Sequence, residues 1–280
     1  MNKNILCVDI GGTHISSAVI DYDTLAIIDN SYLTDTVDSH ADRDTILSQW
    51  LALLKRSLQQ SKLMVMYMIV SIPGPFDYNR GISLMDGMHK YQALLHVDIK
   101  SFFANNLALE KDHIYFINDA QAFLLGEVFH HQLHQDKVIG LTLGTGLGSA
   151  FYVHNEVRDL NLGSAQFAQG ISEDYISTRG LLSKLNSIST AKVDNIKDLV
   201  TSDDLEQEKL EVFSYLVEML NAFITQHIVP LAPQYLVIGG SIAKSHQLFF
   251  NQLQESVTIP LKIASFDECN LFKGLANTIK

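Results

Sequence analysis

The 280-residue chain has only two cysteines and no long hydrophobic run. Cys7 and Cys269 lie far apart and both have apolar neighbours, which favours buried free thiols in a reducing compartment over a disulfide. The longest apolar run, around 64–70, is too short to span a bilayer. The chain does not open with a charged segment followed by an apolar one, so no secretory signal is visible. We therefore expect a cytoplasmic protein without a membrane partner.

Positive charge is also scarce, because 20 lysines and arginines stand against 31 acidic residues and leave a net charge of −11. Non-specific nucleic-acid binding needs a basic surface, so a nucleic-acid partner is not expected. A phosphate site depends on local amides and Mg²⁺ rather than on global charge, so nucleotide binding remains compatible with this composition. The hydrophobic fraction of 47% with 18% charged residues is typical of a compact globular protein.

The most informative segment lies near the start of the chain. Two β-type runs, 4–10 and 15–21, flank the turn Gly11-Gly12-Thr13, and Asp9 stands at the end of the first run. Backbone amides in such a turn bind phosphate oxygens, and a nearby carboxylate suits a hydrated Mg²⁺. The alternative is an ordinary β-hairpin whose glycines supply positive φ angles.

A second glycine turn, formed by Gly144, Thr145 and Gly146, lies between the β-type runs 137–143 and 149–153. Its small residues allow a phosphate to approach the backbone closely, although a plain strand turn has the same composition. It is not a Walker loop, because no Gly-Lys-Ser/Thr follows. It is not a Rossmann fingerprint either, because a strand rather than a helix comes next.

A third glycine site, Gly239 and Gly240, follows the buried strand predicted at 234–238 and opens a predicted helix. Glycines at this point would let a nucleoside lie on the backbone, with helix amides near phosphate oxygens. The equally simple alternative is a tight turn that packs the strand against the helix.

The strand–turn–strand unit therefore occurs twice, at 4–21 and 137–153. Such a repeat predicts two similar α/β lobes that face each other over a cleft. We expect an N-terminal lobe over 1–118, with a C-terminal helix at about 270–280 packed back on it, and a C-terminal lobe over 119–269. Further elements predicted from local patterns are a strand at about 26–33, a helix at 42–61 and a strand at 63–71. The polar segment 184–210 is predicted to be a mobile surface insertion or a helix–loop segment.

Asn118 and Asp119 end a short predicted strand, Ile114–Ile117, near the midpoint of the chain. A carboxylate at a strand end in a cleft accepts the proton of an attacking hydroxyl, and the neighbouring amide holds the substrate. The alternative is a helix N-cap, for which Asn and Asp are preferred residues. One residue pair can serve both roles.

These motifs together resemble the ROK family (repressors, open reading frames, kinases), which belongs to the actin/hexokinase-like superfamily. The resemblance covers residue 4 to about 245. Its elements stand in the family's order: Asp9-Ile-Gly-Gly-Thr13, Ile72-Pro-Gly-Pro75, Asn118-Asp119-Ala120 with Gly126-Glu127, Gly144-Thr-Gly-Leu-Gly148, and Gly239-Gly240. It implies an α/β, two-lobed actin-like ATPase (ribonuclease H-like) fold with an interlobe cleft. It also implies Mg-ATP as phosphoryl donor, a hexose or amino-sugar acceptor, and a homodimer as an ordinary assembly.

The resemblance also assigns roles to residues. Asp119 would be the general base, with Gly74 and Asn118 near the sugar. Asp9 would approach Mg²⁺ through water. ATP and its phosphates would be bound by the three glycine sites and their neighbours: Asp9, Gly11, Gly12, Thr13, Gly144, Thr145, Gly146, Gly239 and Gly240.

The sequence departs from the family pattern after the second glycine turn. ROK kinases carry Gly-Glu-x-Gly-His there, but Phe167 and Gly170 stand at the Glu and His positions. The zinc-binding cysteine cluster that normally follows is absent, so no zinc is expected. Glu173 matches the next family element and is retained as a sugar-binding residue. A histidine patch at 130–134 is interpreted as a solvated helix end rather than a metal site.

The sequence therefore favours an ATP-dependent sugar kinase with small-molecule partners, sugar and ATP. The altered stretch predicts a shifted acceptor specificity or weak activity on ordinary hexoses. The alternative is a catalytically weak or inactive ROK-like sensor of sugar or nucleotide. The first strand starts at residue 4 and leaves no room for a helix-turn-helix, so a DNA-binding regulator is not expected. An actin-superfamily ATPase acting on proteins or acyl groups fits the glycine turns but accounts less well for Asn118 and Asp119.

Overall fold

The computed structural model describes residues 3–87 and 90–279. The chain divides into two compact units, one made of Met1–Phe129 with Asp267–Lys280 and the other of His130–Phe266. The sequence divides the lobes at 118, and the structural division falls after Phe129. Residue 280 of the predicted terminal helix lies outside the described residues.

The elements of the first unit follow one another along the chain up to a helix that runs into the second unit. They are β1 (Asn4–Ile10), β2 (His14–Asp21), β3 (Leu33–Thr36), α1 (Arg43–Ser61), β4 (Tyr67–Ile72), β5 (Phe76–Asp77), β6 (Ile82–Ser83), α2 (Ile99–Leu107), β7 (Ile114–Asn118) and α3 (Asp119–His131).

The strands and helices from β8 to β14 belong to the second unit, and the last helix, α8, belongs to the first unit again. The elements are β8 (Val138–Leu143), β9 (Leu147–Val153), β10 (Glu156–Asp159), β11 (Gln166–Phe167), β12 (Gly170–Ile171), α4 (Thr178–Ile188), α5 (Ile196–Thr201), α6 (Glu206–Phe223), β13 (Tyr235–Gly239), α7 (Phe250–Ser256), β14 (Leu261–Ile263) and α8 (Glu268–Asn277).

The two units contain five-stranded sheets with the same topology. The first has the order β3-β2-β1-β4-β7 and the second the order β10-β9-β8-β13-β14. In each, the first three strands form an antiparallel meander, and two parallel strands extend the sheet on the other side of the first strand. The internal repeat predicted from the sequence is therefore a repeat of sheet topology.

Strands β1 and β4 are buried on both faces, as their continuous apolar sequences predict. Helix α1 begins after Asp42, whose carboxylate accepts hydrogen bonds from the amides of Asp44 and Thr45. Its apolar face, centred on the fully buried Trp50, packs into the core of the first unit. Helix α8 approaches α3 so closely that a methyl group on Gly126 would lie 2.6 Å from Cα of Leu271. Glycine at 126 is thus required by helix packing.

One local prediction is wrong. The third strand spans Leu33–Thr36 rather than 26–33, because Asn30 adopts a left-handed conformation (φ 62°) that interrupts the extended chain. Of the two alternatives for 184–210, the structure shows the helix–loop segment, which contains the end of α4, all of α5 and the start of α6. Ile196 and Leu199 of α5 are buried in the core of the second unit.

Within the described residues, one helical stretch, Glu206–Leu231, is long and apolar enough to cross a membrane by length and composition. Many of its apolar residues, including Phe213 and Phe223, belong to the core of the second unit, which accounts for much of its composition. Both cysteines are free thiols; Cys7 is buried, as predicted, whereas Cys269 is partly exposed.

Candidate active site

The predicted functional residues fall into two groups, one in each unit. In the first unit, the parallel strands β1, β4 and β7 end at one edge of the sheet. Asp9 of β1 is paired with Ser71 of β4, and Ile72 with Asn118 of β7. Neighbouring strands are about 4.8 Å apart, so Asp9 and the residues that follow β7 lie roughly 10 Å from each other. The sheet therefore places Asp9, Asn118 and Asp119 at the same edge.

The Asp9 carboxyl lies in an environment that favours its neutral form. Its pKa is raised to about 7, chiefly by burial; the Ser71 hydroxyl lowers it, and the carboxylates of Glu268 and Asp119 contribute to the rise. The Ser71 hydroxyl is buried and makes no hydrogen bond of ordinary geometry with any described residue. A divalent cation close to Asp9 would offset the repulsion that Glu268 and Asp119 exert on its carboxylate, which suits a Mg²⁺ ion held through water.

Asn118 is held rigidly beside the start of α3. Its side-chain oxygen accepts a hydrogen bond from the amide of Ala120 at 2.9 Å, so it caps the helix. Its side-chain nitrogen donates to the Tyr78 hydroxyl at 3.1 Å, and Tyr78 in turn donates to the carbonyl of Ile72. A methyl group on Gly74 would lie 3.2 Å from the same Tyr78 oxygen. Tyr78, which the sequence analysis did not single out, thus links Gly74 to Asn118.

Asp119 is the first residue of α3 and its side chain is exposed, unlike that of Asn118, which is 9% exposed. A carboxylate at this place interacts favourably with the helix dipole and remains accessible to a reactant. The Asp119 side chain also accepts a hydrogen bond from the amide of Ala120 at 2.9 Å, so it shares the capping role with Asn118. It is nevertheless exposed, so capping does not prevent it from reaching a reactant.

The glycines of the first turn are not explained by the structure of the hairpin alone. Neither Gly11 nor Gly12 has a positive φ, and methyl groups on them would meet no atom closer than 3.4 and 3.6 Å respectively. The amides of Gly12 and Thr13 donate to no acceptor in residues 3–87 and 90–279. The absence of side chains and the free donors are what an anion lying against the backbone requires.

Tyr91 ties a distant loop to this turn. Its ring is fully buried, and its hydroxyl donates a hydrogen bond to the carbonyl of Gly11 at 2.6 Å. Burial raises the pKa of Tyr91 to about 12, so the hydroxyl keeps its proton at neutral pH. The ring packs edge-on against Trp50. The preceding residue, Lys90, extends its side chain over Gly12.

The second turn has the same properties. Gly144 and Gly146 lack positive φ angles, and the amides of Thr145 and Gly146 have no acceptor in the described part of the chain. The carbonyl of Gly144 accepts hydrogen bonds from the amide and the hydroxyl of Thr178 at the start of α4. The turn is therefore held from its carbonyl side while its amides remain available.

The third glycine site differs, because its conformation requires glycine. Gly240 has a φ of +89°, and a methyl group there would lie 2.6 Å from the nitrogen of Leu143 and closer still to its oxygen. Glycine is therefore required here by the backbone conformation and by the end of β8, rather than by packing against the following helix. A cavity of about 450 Å³ adjoins this turn within the second unit, and its lining includes Thr178, Asn195, Ser241 and Lys244.

The altered stretch beyond the second turn is built as an aromatic cluster. Phe167 is 4% exposed, and its ring contacts those of Tyr175, Phe223 and His227. It therefore offers no surface on which a sugar ring could stack. Glu173 instead lies against the second turn, where a methyl group on Gly146 would be 3.0 Å from its carboxylate.

Glu173 shares a cationic partner with its neighbour. Arg179 lies 3.5 Å from the Glu173 carboxylate and 2.6 Å from that of Asp174.

Within the described residues, no three histidine, cysteine, aspartate or glutamate side chains are placed to hold a metal ion. In the histidine patch, the His131 ring bonds the carbonyl of Ile263, so that ring has a structural contact.

Solved structures with the same fold include kinases and a regulator. The ROK hexokinase from Thermus thermophilus is 17% identical, with a TM-score of 0.71 over 98% of this chain and 97% of that one. A ROK family glucokinase from Streptomyces griseus, in complex with glucose and AMPPNP, is 20% identical, with a TM-score of 0.73 over 98% of both chains. A ROK family transcriptional regulator, a homologue of the E. coli MLC protein, is 17% identical, with a TM-score of 0.78 over 100% of this chain and 80% of that one.

These similarities confirm the predicted α/β, two-lobed actin-like ATPase fold. A comparison with curated protein sequences gives no match. The family model described as "ROK family" matches residues 5–165, more than half of the 280 residues. The chain belongs to the ROK family.

Proposed function

We propose that the protein is an ATP-dependent sugar kinase that phosphorylates a hydroxyl of a hexose or hexose derivative, with Asp119 as general base. The observation that carries the proposal is the pair of hairpin turns at Gly11–Thr13 and Gly144–Gly146. None of their glycines has a positive φ, and the last two amides of each turn lack acceptors among the described residues. Free backbone amides of this kind suit the phosphate oxygens of a nucleoside triphosphate.

The nucleoside would be bound in the second unit. The cavity of about 450 Å³ next to Gly240 is large enough for an adenosine group, and its lining mixes apolar and polar side chains such as Ile242 and Asn195. Gly239 and Gly240 would then shape the turn rather than contact the nucleoside, because the positive φ of Gly240 sets the course of the backbone. Nucleotide binding itself is supported by the glucokinase from Streptomyces griseus, whose structure contains glucose and AMPPNP.

Asp119 would accept the proton of the acceptor hydroxyl as the phosphoryl group is transferred. The side chain is exposed at the start of α3, where it can reach a bound sugar, and the Asn118 amide beside it is oriented by Tyr78. A positioned base of this kind contributes about 10²–10⁴-fold to the rate. Asn118 and Gly74 would line the sugar site, and Glu173 is proposed as a further sugar ligand.

Asp9 would hold Mg²⁺ through a water molecule. The cation neutralises charge on the phosphate oxygens when it is bound. The residues of this chain contribute the carboxylate and the neighbouring Ser71 hydroxyl, whose hydrogen-bonding capacity is unused within the described residues.

The acceptor is expected to differ from an ordinary hexose. Phe167 stands where the family pattern has a sugar-binding glutamate, and its ring is part of the core. Solved structures similar to this chain include an inorganic polyphosphate/ATP-glucomannokinase from Arthrobacter and a ROK family protein from Streptococcus pneumoniae in complex with sucrose. Hexoses, amino sugars and disaccharides therefore all belong in an acceptor screen.

The proposal is tested by coupling ADP release to that panel of acceptors with Mg-ATP as donor. We expect ADP release that depends on one class of acceptor and exceeds the rate without acceptor by at least about tenfold. ADP release that no acceptor stimulates would contradict the kinase assignment.

The second candidate is a sensor that binds sugar or nucleotide without turnover, which the buried Phe167 and the similarity to a ROK regulator favour. Thermal-shift titration separates the two functions, because a ligand that binds only the folded state raises the melting temperature. Stabilisation by a sugar or by AMPPNP without ADP production supports the sensor, whereas stabilisation with acceptor-dependent ADP production supports the kinase.

A further inference from the structure

Lys90 is an isolated cation placed on the first glycine turn. A methyl group on Gly12 would lie 3.6 Å from Cδ of Lys90, so the lysine stem is in van der Waals contact with the turn. The ammonium group is two bonds beyond that carbon. It makes no ion pair or hydrogen bond with any residue in 3–87 or 90–279. The chain thus places an unpaired positive charge beside two amides without acceptors.

The position of Lys90 is fixed by its neighbour. Tyr91 is fully buried, donates through its hydroxyl to the carbonyl of Gly11, and donates through its amide to the carbonyl of Ser39 at 2.7 Å. Trp50 packs edge-on against the same ring at 5.3 Å between centroids. A residue that directly precedes such an anchor has little freedom to leave the turn. The loop is therefore built to keep the lysine stem over Gly12.

We propose that Lys90 binds the terminal phosphates of the nucleoside triphosphate and stabilises the charge that develops on the transferred phosphoryl group. The inference rests on the proposed kinase function and adds a residue to it. An ammonium group near a phosphate supplies point-charge stabilisation that backbone amides alone do not. The amides of Gly12 and Thr13 would fix the position of the phosphate oxygens, and Lys90 would neutralise them.

The acidic groups around the first glycine turn explain why a phosphate ligand there needs positive charge beside it. The carboxylates of Asp119 and Glu268 both act on Asp9 in the same unit, and the whole chain carries a net charge of −11. A polyanionic ligand brought to this edge of the sheet meets repulsion that Mg²⁺ and Lys90 together would offset. Lys90 would therefore act on the phosphate-dependent part of nucleotide affinity and not on the nucleoside.

The test compares Lys90→Met and Lys90→Arg with the wild type and with Lys55→Met. Lys55 is an exposed lysine on α1, so its substitution is a control for the loss of one positive charge. Binding of AMPPNP and of AMP is measured with Mg²⁺ by calorimetry, and ADP release is measured with the best acceptor. Melting temperatures verify that each variant is folded.

For Lys90→Met we expect AMPPNP affinity to fall about 10- to 100-fold, which is the worth of a charge-assisted contact, while AMP affinity stays within about twofold. We expect kcat to fall by at least as much, Lys90→Arg to recover most of both losses, and Lys55→Met to resemble the wild type. Unchanged AMPPNP affinity and kcat in a Lys90→Met protein, with an active wild type, would overturn the role of Lys90 and leave the kinase function standing. A wild type that binds AMPPNP without turnover would overturn the kinase function instead, and the AMPPNP-to-AMP comparison would still decide whether Lys90 contacts the phosphates.

Discussion

The side chain of Asn118 is fixed by the hydroxyl of Tyr78, which accepts its hydrogen bond at 3.1 Å and donates one to the carbonyl of Ile72. This contact joins the end of β7 to the loop after β4, where Gly74 approaches the same hydroxyl. The residue beside the proposed base is therefore oriented by an aromatic side chain from another part of the first unit.

Tyr78→Phe removes that hydroxyl and leaves the Asn118 amide without its acceptor. We expect the KM for the acceptor to rise several-fold with a small change in kcat. The substitution removes a hydrogen bond worth about 1 kcal/mol that orients Asn118, and it leaves every reacting group in place. Tyr115→Phe is the matched control, since Tyr115 is exposed on β7. An equal change in both variants would contradict a role for Tyr78 in holding Asn118.

Two glycine-to-alanine variants separate the roles of the glycine sites. Gly12→Ala introduces a methyl group with no contact below 3.6 Å, so we expect a loss of unfolding free energy under about 1 kcal/mol and at least a tenfold loss of AMPPNP affinity. Gly240 has a φ of +89°, and Gly240→Ala places a methyl group against the backbone of Leu143. We therefore expect this substitution to lower the free energy of unfolding by about 2–5 kcal/mol. Urea unfolding and calorimetry measure both quantities. A Gly12→Ala protein with wild-type nucleotide affinity would show that the turn does not bind phosphate.

The raised pKa of the Asp9 carboxyl predicts that, in the absence of Mg²⁺, the stability of the protein depends on pH. Its pKa is about 7 in the folded state against an ordinary value of 3.8, so the folded protein retains a proton that the unfolded chain releases between these values. The contribution of this group to stability is therefore full below about pH 4 and decreases as the pH rises to 7, by up to about 4 kcal/mol.

Asp9→Asn removes that dependence. Urea midpoints measured at pH 5 to 8 should fall with rising pH in the wild type and fall less steeply in Asp9→Asn. Asp112→Asn, at an exposed carboxylate of the same unit, should keep the wild-type slope. Parallel slopes for Asp9→Asn and the wild type would refute the raised pKa.

The core position of Phe167 predicts that the family residue cannot simply be restored there. Phe167→Glu places a carboxylate among the rings of Tyr175, Phe223 and His227, so we expect a loss of at least about 3 kcal/mol of stability and no gain in affinity for hexoses. Phe167→Leu should cost less than about 1.5 kcal/mol. A stable Phe167→Glu protein with increased hexose turnover would show that the ring is not part of the core.

Much of the fold follows from the sequence because its signals are local. The apolar runs of β1 and β4, the Asp42 cap of α1 and the two glycine turns are all recognisable within a few residues. These local signals also predict where the strands end. The strand ends in turn place Asp9 and Asn118 at one edge of the sheet. The strand predicted at 26–33 failed because the left-handed Asn30 interrupts a segment of otherwise suitable composition.

The parts of the site that the sequence does not reveal depend on contacts between distant residues. Tyr91 meets Gly11 across 80 positions, and Lys90 comes from a loop without any periodic pattern. The motif alone does not distinguish a glycine required by φ, as at Gly240, from one that leaves space for a ligand, as at Gly12. That distinction needs the backbone angles and the neighbours of each Cβ position.

The most direct measurement of the central claim is kcat/KM for the best acceptor, at saturating Mg-ATP, in the wild type and in Asp119→Asn. The side chain of Asp119 is exposed, so the substitution should leave the melting temperature and AMPPNP affinity near wild-type values. We predict a fall in kcat/KM of about 10²–10⁴-fold for Asp119→Asn and wild-type turnover for Asp112→Asn. Acceptor-dependent ADP release at the full rate in Asp119→Asn would contradict the account.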